Sequence, residues 1–216
     1  SGFTAILIML ALTGTAIYLL SLPQTPSIIA GVICGICVVV MLPGFMIIQP
    51  NNSRVLTFFG RYAGTVISNG FYWVNPLFLK STVTLRILNL NIDPIKVNDK
   101  VGNPIMIGAV VVWRIKDTYK ASFDISGNIR EFVQIQSDAA LRQVAGMYAY
   151  DTNETIDKVT LRSDESGEIT QRLEDELNSR LAIAGIEIVE ARINYLAYAS
   201  EIASVQTPSF LPANGS

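Results

Sequence analysis

The sequence has no histidine and only two cysteines in 216 residues. Without histidine, neither a Ser-His-Asp nor a Cys-His catalytic arrangement can form, and the most common zinc ligand is missing. The glycines also lack the spacing of a phosphate-binding or dinucleotide-binding loop. We therefore expect no catalytic residues, no cofactor and no metal site, and we expect that the protein is not an enzyme.

Charge is missing from residues 1–53, because Arg54 is the first charged residue and all 16 basic and 18 acidic side chains lie from there onward. This uncharged part holds two apolar segments, residues 3–22 and 28–48. At 1.5 Å per residue each helix would reach about 30 Å, the thickness of the hydrocarbon core of a bilayer. Helix breakers in the connection 23–27 predict an antiparallel return. Residues 1–48 are thus predicted to form a transmembrane helical hairpin.

Two alternatives for this region are weaker. A cleavable signal peptide would explain the first segment, but the segment lacks a basic region and a second apolar segment follows at once. A buried hairpin in a soluble core would explain both, but such long uncharged runs are typical of membrane spans.

Small residues of the second segment predict close packing between helices. Gly31 and Gly35 have the GxxxG spacing that lets two membrane helices approach each other. Cys34 and Cys37 form a CxxC pair without a second pair, in surroundings that disfavour a thiolate. We interpret both cysteines as packing residues, with reversible acylation as the alternative.

Beyond the apolar segments the pattern predicts an α+β domain. Residues 55–59, 65–68, 83–92 and 105–115 are rich in β-branched and aromatic residues and are predicted strands. The apolar phase slips by one residue within 83–92, which predicts a bulge or a change of buried face. Residues 105–115 are apolar on both faces, which predicts a central strand that is covered on both sides.

The helical periodicity appears later in the chain. Apolar residues recur every three or four positions from Ile129 to Met147, and Ile169, Leu173, Leu177 and Leu181 recur at strict fours. The leucine stripe is interpreted as core, with a partner-helix surface as the alternative. Gly185 is predicted to cap the second helix, and residues 186–193 alternate as a final strand.

Four aromatic residues lie close together at Phe71, Tyr72, Trp73 and Phe78. Aromatic side chains favour the membrane–water interface, so this stretch is a candidate membrane-interface loop. The core of a small sheet is an equally good interpretation.

Charge is divided along the soluble part. Residues 54–125 carry nine basic and four acidic side chains, a net charge of +5, and residues 126–216 carry seven and fourteen, a net charge of −7. The basic part follows the hairpin directly and would suit an anionic cytoplasmic leaflet, with ordinary surface charge as the alternative. A pI near 5.2 and the lack of a basic-aromatic motif argue against nucleic acid as a partner.

With these residues in view, the sequence resembles the SPFH or band-7 family, which includes stomatin, prohibitin, flotillin and the bacterial HflK/HflC proteins. The similarity is strongest to bacterial members with two N-terminal spans. The resemblance depends on the order and spacing of short motifs across residues 49–202: PNNSRVL at 50–56, GRYAGT at 60–65, NGFYWVNP at 69–76, KVNDK at 96–100, GNPI at 102–105, AVVVWR at 109–114, FVQIQ at 132–136, AALR at 139–142 and EARINYLAYA at 190–199.

The resemblance implies a transmembrane hairpin at 1–48, followed by an SPFH domain at 49–202 with a small mixed or antiparallel sheet and packed helices. It also implies a non-enzymatic scaffold that contacts the lipid bilayer, forms homo-oligomers, organises membrane microdomains and regulates AAA+ membrane proteases or NfeD-type partners. The expected location is the bacterial inner membrane, with the domain on the cytoplasmic side. A pore-forming or membrane-hydrolase accessory subunit is the alternative function.

The last residues depart from the family pattern. Members usually continue into a long helix rich in Ala, Glu, Gln and Arg, which builds a coiled coil. Residues 203–216 instead contain Pro208 and Pro212 and no heptads, so a disordered tail without a coiled coil is predicted.

Overall fold

The computed structural model describes residues 2–151, 160–162 and 167–199. The chain begins with an antiparallel pair of helices, α1 (Gly2–Ser21) and α2 (Thr25–Met41). Pro26 lies in the first turn of α2, where its missing N–H costs no hydrogen bond. Most side chains on the outside of the pair are apolar and exposed. Helix α1 is long and apolar enough to cross a membrane. The same is true of α2 when the short 3₁₀ turn after it, Leu42–Gly44, is included.

The second predicted span is shorter as a helix than residues 28–48. Helix α2 ends at Met41, and the turn that contains Pro43 follows it. The last four predicted residues instead form a strand, β1 (Phe45–Ile48), because proline cannot continue the hydrogen-bond ladder of a helix. The apolar run therefore contains two kinds of structure that hydropathy alone does not separate.

The domain contains three antiparallel sheets in the part of the chain that is described. The strands after β1 are β2 (Asn52–Phe58), β3 (Arg61–Val66), β4 (Gly70–Trp73), β5 (Leu79–Thr84), β6 (Leu88–Asn98), β7 (Pro104–Ile115) and β8 (Ile186–Tyr198). The first sheet pairs β1 with β4, the second has the order β3-β2-β5, and the third has the order β6-β7-β8.

The prediction of one continuous strand over residues 83–92, with a bulge or a change of buried face, is wrong in its continuity. Strand β5 ends at Thr84 and pairs with β2, whereas β6 begins at Leu88 and pairs with β7. The slip in apolar phase marks the passage of the chain from one sheet to another. Periodicity detects that the buried face changes, but it does not distinguish a bulge from a break.

Strand β7 is central, as predicted, but it is fully covered on only one face. Side chains at odd positions from Ile105 to Trp113 are fully buried, whereas Met106, Val110 and Val112 on the other face are only half-buried. Two helices of the α+β domain, α4 (Ile129–Ala145) and α5 (Glu168–Leu181), contribute to the core cluster of the buried face. The sheet is therefore covered by helices on one side.

The leucine stripe of α5 confirms the core interpretation. Ile169, Leu173, Leu177 and Leu181 are at most 1 % exposed and pack in the main core cluster. After α5 and a short 3₁₀ turn, Gly185 adopts φ = +65° and turns the chain into β8. That strand continues to Tyr198, five residues beyond its predicted end.

Two aspartates stabilise connections between elements of the domain by accepting backbone hydrogen bonds. Asp99, at the β6–β7 turn, is buried, and its carboxylate accepts hydrogen bonds from Val101, Asn103 and Tyr150. Asp117 caps the short helix α3 (Thr118–Phe123) by accepting from the backbone N–H groups of Tyr119 and Lys120.

Candidate membrane interface

Strand β4 contacts the ends of both apolar helices. The ring of Phe71 lies edge-on to Phe3 of α1, with centroids 5.6 Å apart, and stacks on Phe45 at 5.5 Å. Trp73 Nε1 donates a hydrogen bond of 3.0 Å to the carbonyl oxygen of Met41, at the end of α2. The N–H of Val74 donates to the Gly44 carbonyl at 3.0 Å. The hairpin therefore begins and ends at the same side of the domain.

The four predicted aromatic residues are divided between two environments. Phe71 and Trp73 face the ends of the apolar helices. Tyr72 and Phe78 pack against a small core cluster of Met46, Ile48 and Leu56. Because neighbouring side chains in a strand point to opposite faces, one stretch serves both the helix junction and the core. Contact of these residues with lipid remains a prediction.

Three exposed apolar side chains lie at the same end of the domain; Leu77 belongs to the predicted stretch of residues 71–78, whereas Phe59 and Leu79 were not predicted. We call Phe59, Leu77 and Leu79 the apolar rim; they are 81 %, 59 % and 70 % exposed. Phe58 links the rim to the predicted stretch, because its ring is 4.8 Å from Phe59 and 5.5 Å from Phe78. Lys80, next to Leu79, donates a hydrogen bond to the carbonyl of Pro43 after α2.

Phe59 occupies a backbone conformation that aromatic residues rarely adopt. Phe59 and Gly60 form the two-residue turn between β2 and β3, with φ of +46° and +80°. Two positive φ values are typical of a type I′ turn, which usually holds Asn-Gly. A left-handed conformation costs a residue with a Cβ about 1–2 kcal/mol. The sequence signal, a Phe-Phe-Gly turn, was missed because phenylalanine is not a turn former.

The small residues of α2 differ in their surroundings. Gly31 is buried against α1, and a Cβ placed there would lie 2.8 Å from Leu20 Cγ and 3.2 Å from the Ala16 carbonyl oxygen. At Gly35 none of the described residues comes within 4 Å of the position of a Cβ, so a side chain there would not meet α1. Cys34 is half-buried, Cys37 is exposed, and both are free thiols. The structure thus brings Gly31 to the helix contact, and acylation of the cysteines stays a prediction.

A cavity of about 600 Å³ lies between the sheet of β1 and the sheet of β2 and β5. Arg54 and Lys80 line it together with the polar side chains of Gln49, Asn52 and Thr82. Burial lowers the pKa of Lys80 below its usual value, and the positive charge of Arg54 lowers it further. Phe45, Met46, Ile47, Ile48 and Phe71 form the rest of the wall.

The described residues hold no group of three or more His, Cys, Asp or Glu side chains that would suit a metal ion. Two of the described carboxylates away from the cavity, Glu187 and Asp138, have a shifted pKa. Hydrogen bonds from Lys116 and Arg114 lower the pKa of Glu187, which tethers β7 to β8 at the surface. Burial raises the pKa of Asp138 on α4.

Comparison with known protein families decides the classification. The model of the SPFH domain / Band 7 family matches residues 46–207, three quarters of the chain. The chain belongs to the SPFH/Band 7 family. The search of curated proteins found no match.

The SPFH match begins at Met46, in β1, directly after the two apolar helices. The molecule is therefore an α+β SPFH domain that two apolar N-terminal helices precede. SPFH domains are generally associated with membrane scaffolds and microdomains, and they are typically non-catalytic. The helices and the family together indicate that this protein associates with membranes.

Proposed function

We propose that this protein is a two-span membrane scaffold that assembles with copies of itself to organise lipids and to regulate resident membrane proteins. The observation that carries the proposal is the junction at β4, where both ends of the apolar hairpin meet the SPFH domain. A hairpin with exposed apolar sides needs lipid around it, because that much apolar surface is unfavourable in water.

The apolar rim extends this membrane-facing side beyond the helices. Phe59, Leu77 and Leu79 lie on the domain near the exit of α2, so a bilayer around the hairpin would place them at the headgroup level. Aromatic and aliphatic side chains at that level add apolar burial and orient the domain on the surface. Phe71 and Trp73 would then lie at the interface, beneath the helix ends.

The charge pattern supports a cytoplasmic position for the domain. Arg54 and Lys80 lie close to the helix ends, and basic residues near membrane spans favour the cytoplasmic side. The two-span architecture resembles that of bacterial inner-membrane members of the family. Family resemblance also supports membrane proteases or NfeD-type proteins as the regulated partners.

The assembly is tested by imaging the full-length protein in native membrane patches over a range of expression levels. We expect contacting copies in rings or clusters at every level, because the family works through lateral association. A two-span membrane protein of known monomeric state, expressed at the same density, is the control. Isolated particles at all densities, like those of the control, would contradict the scaffold proposal.

The orientation of the domain is tested with one added tryptophan in nanodiscs that contain headgroup spin-labelled lipid. We expect the emission added by Phe59→Trp to be strongly quenched, because the rim lies at the headgroups. The matched control is Val101→Trp, whose site is 69 % exposed on the β6–β7 turn of another sheet. Both variants retain Trp73 and Trp113, so the parent spectrum is subtracted. Equal quenching of the two added residues would rule out the proposed orientation.

A further inference from the structure

The cavity lies between strand β1 and one face of the sheet that contains β2 and β5. In the register of β2 and β5, Arg54 lies opposite Thr82, and Lys80 is two residues before Thr82 in β5. Side chains two residues apart share a face, so all three point to the same side of this sheet. Strand β1 forms the other wall, and among the described strands it pairs only with β4. Its free edge leaves backbone N–H groups without a strand partner.

The charge of the cavity is of one sign. Arg54 and Lys80 line it, and no aspartate or glutamate belongs to the lining that the structure describes. Gln49, Asn52 and Thr82 add neutral hydrogen-bond donors. Two neighbouring cations without an anion repel each other, and the lowered pKa of Lys80 reflects both its burial and the charge of Arg54. An anion between the two side chains would replace this repulsion with attraction.

The position of the cavity indicates where such an anion would come from. Its wall includes Phe45 and Phe71, which stack on each other, and Phe71 also contacts Phe3 at the start of α1. Lys80 reaches the carbonyl of Pro43, just after α2. Ile47, another wall residue, is 67 % exposed. Basic side chains therefore lie beside apolar ones at the level of the helix ends, where the phosphates of a bilayer would lie.

We propose that this cavity is a phosphate-binding site, with Arg54 and Lys80 as its cationic ligands and an anionic phospholipid headgroup as its source of phosphate. The guanidinium of Arg54 suits two phosphate oxygens, and the Lys80 ammonium supplies a point charge. Phe45, Ile47 and Phe71 would contact the glycerol and upper acyl region of the lipid. The choice of a lipid over a free anion rests on the proposed membrane placement, whereas the phosphate chemistry does not.

The test titrates detergent-solubilised full-length protein with three probes: short-chain phosphatidylglycerol, short-chain phosphatidylcholine and inorganic phosphate. We expect phosphatidylglycerol to bind most tightly, and its affinity to fall at least about tenfold in the double variant Arg54→Gln/Lys80→Gln, because charge-assisted hydrogen bonds are lost. The control Arg86→Gln/Lys96→Gln removes the same charge from exposed sites outside the cavity lining and should leave the affinity unchanged.

The outcomes separate the possible explanations. Equal losses in both double variants, or a loss in neither, would overturn the site, because binding would then depend on net charge or lie elsewhere. Inorganic phosphate that binds as tightly as phosphatidylglycerol would overturn the lipid assignment. If the double variant does not fold, each single variant should still weaken binding. Images of assemblies in native membranes are read separately, so a failed phosphate site with intact assemblies leaves the scaffold proposal standing.

Discussion

Replacing Asp99 with asparagine is expected to lower the free energy of unfolding by about 3 kcal/mol, because hydrogen bonds to a buried charge are lost. Oδ1 accepts from the backbone N–H groups of Val101 and Asn103, at 3.0 and 2.7 Å. Oδ2 accepts from Asn103 Nδ2 at 3.2 Å and from the N–H of Tyr150 at 3.0 Å. In either orientation, an asparagine amide would turn its NH₂ group toward two donors.

The Asp99 carboxylate should also make the free energy of unfolding depend on pH. Burial alone would raise the pKa of Asp99, but hydrogen bonds from Tyr150, Asn103 and Val101 outweigh it and hold the pKa below its usual value. Because the folded-state pKa is lowered, the contribution of Asp99 to stability is fully present above about pH 4, the unfolded pKa, and is lost as pH falls through the folded pKa. The difference between wild type and Asp99→Asn should therefore shrink in acid.

Thermal unfolding of the full chain in detergent measures this prediction, with an expected fall in Tm of about 10 °C at neutral pH. Asp124→Asn is the matched control, since Asp124 is exposed at the end of α3, and it should change the stability by less than about 0.5 kcal/mol. Similar Tm values for the two variants would show that the Asp99 hydrogen bonds do not hold the β6–β7 turn.

Gly185→Ala is expected to cost about 3 kcal/mol, partly from backbone strain and partly from overpacking. At φ = +65° an alanine is strained in itself. Its Cβ would also lie 2.6 Å from the Asp117 carbonyl oxygen and 2.7 Å from Asp117 Cβ. Asp117 and Lys116 both donate backbone hydrogen bonds of 2.9 Å to the Gly185 carbonyl, so a shift of this segment would also disturb the cap of α3.

Gly167→Ala separates the two causes. Gly167 has nearly the same backbone conformation, with φ = +69°, but none of the described residues comes within 4 Å of the position of its Cβ. This control should show only the backbone cost of about 1 kcal/mol. Chemical denaturation of both variants in the same detergent measures the difference. Equal losses would mean that the contact with Asp117 relaxes without cost.

Much of the fold was predictable from local patterns. The apolar period of three and four residues gave α4 and α5, and the strict spacing of Ile169, Leu173, Leu177 and Leu181 predicted the face that is buried. The uncharged opening quarter predicted two helices of membrane length. These signals work because the period of the side chains follows directly from backbone geometry. The predicted tail at 203–216 lies outside the described residues.

The candidate interface was predictable only in part. Aromatic composition singled out Phe71, Tyr72, Trp73 and Phe78, but it did not divide them between the helix ends and the core. Phe59 and Leu79 were missed because no rule of composition places a β2–β3 turn beside the exit of α2. Arg54 and Lys80 were counted among the basic residues of 54–125, but they were not predicted to lie close together, since 25 residues of sequence separate them.

What the sequence determined by itself is the division into an apolar hairpin and an α+β domain, because hydropathy and side-chain periodicity are local properties of consecutive residues. Only the tertiary structure decided which strand contacts the helix ends, where the run at 83–92 breaks between two sheets, and which cations share a cavity. These features depend on strand pairing between distant segments, whose register is set by the packing of the whole domain.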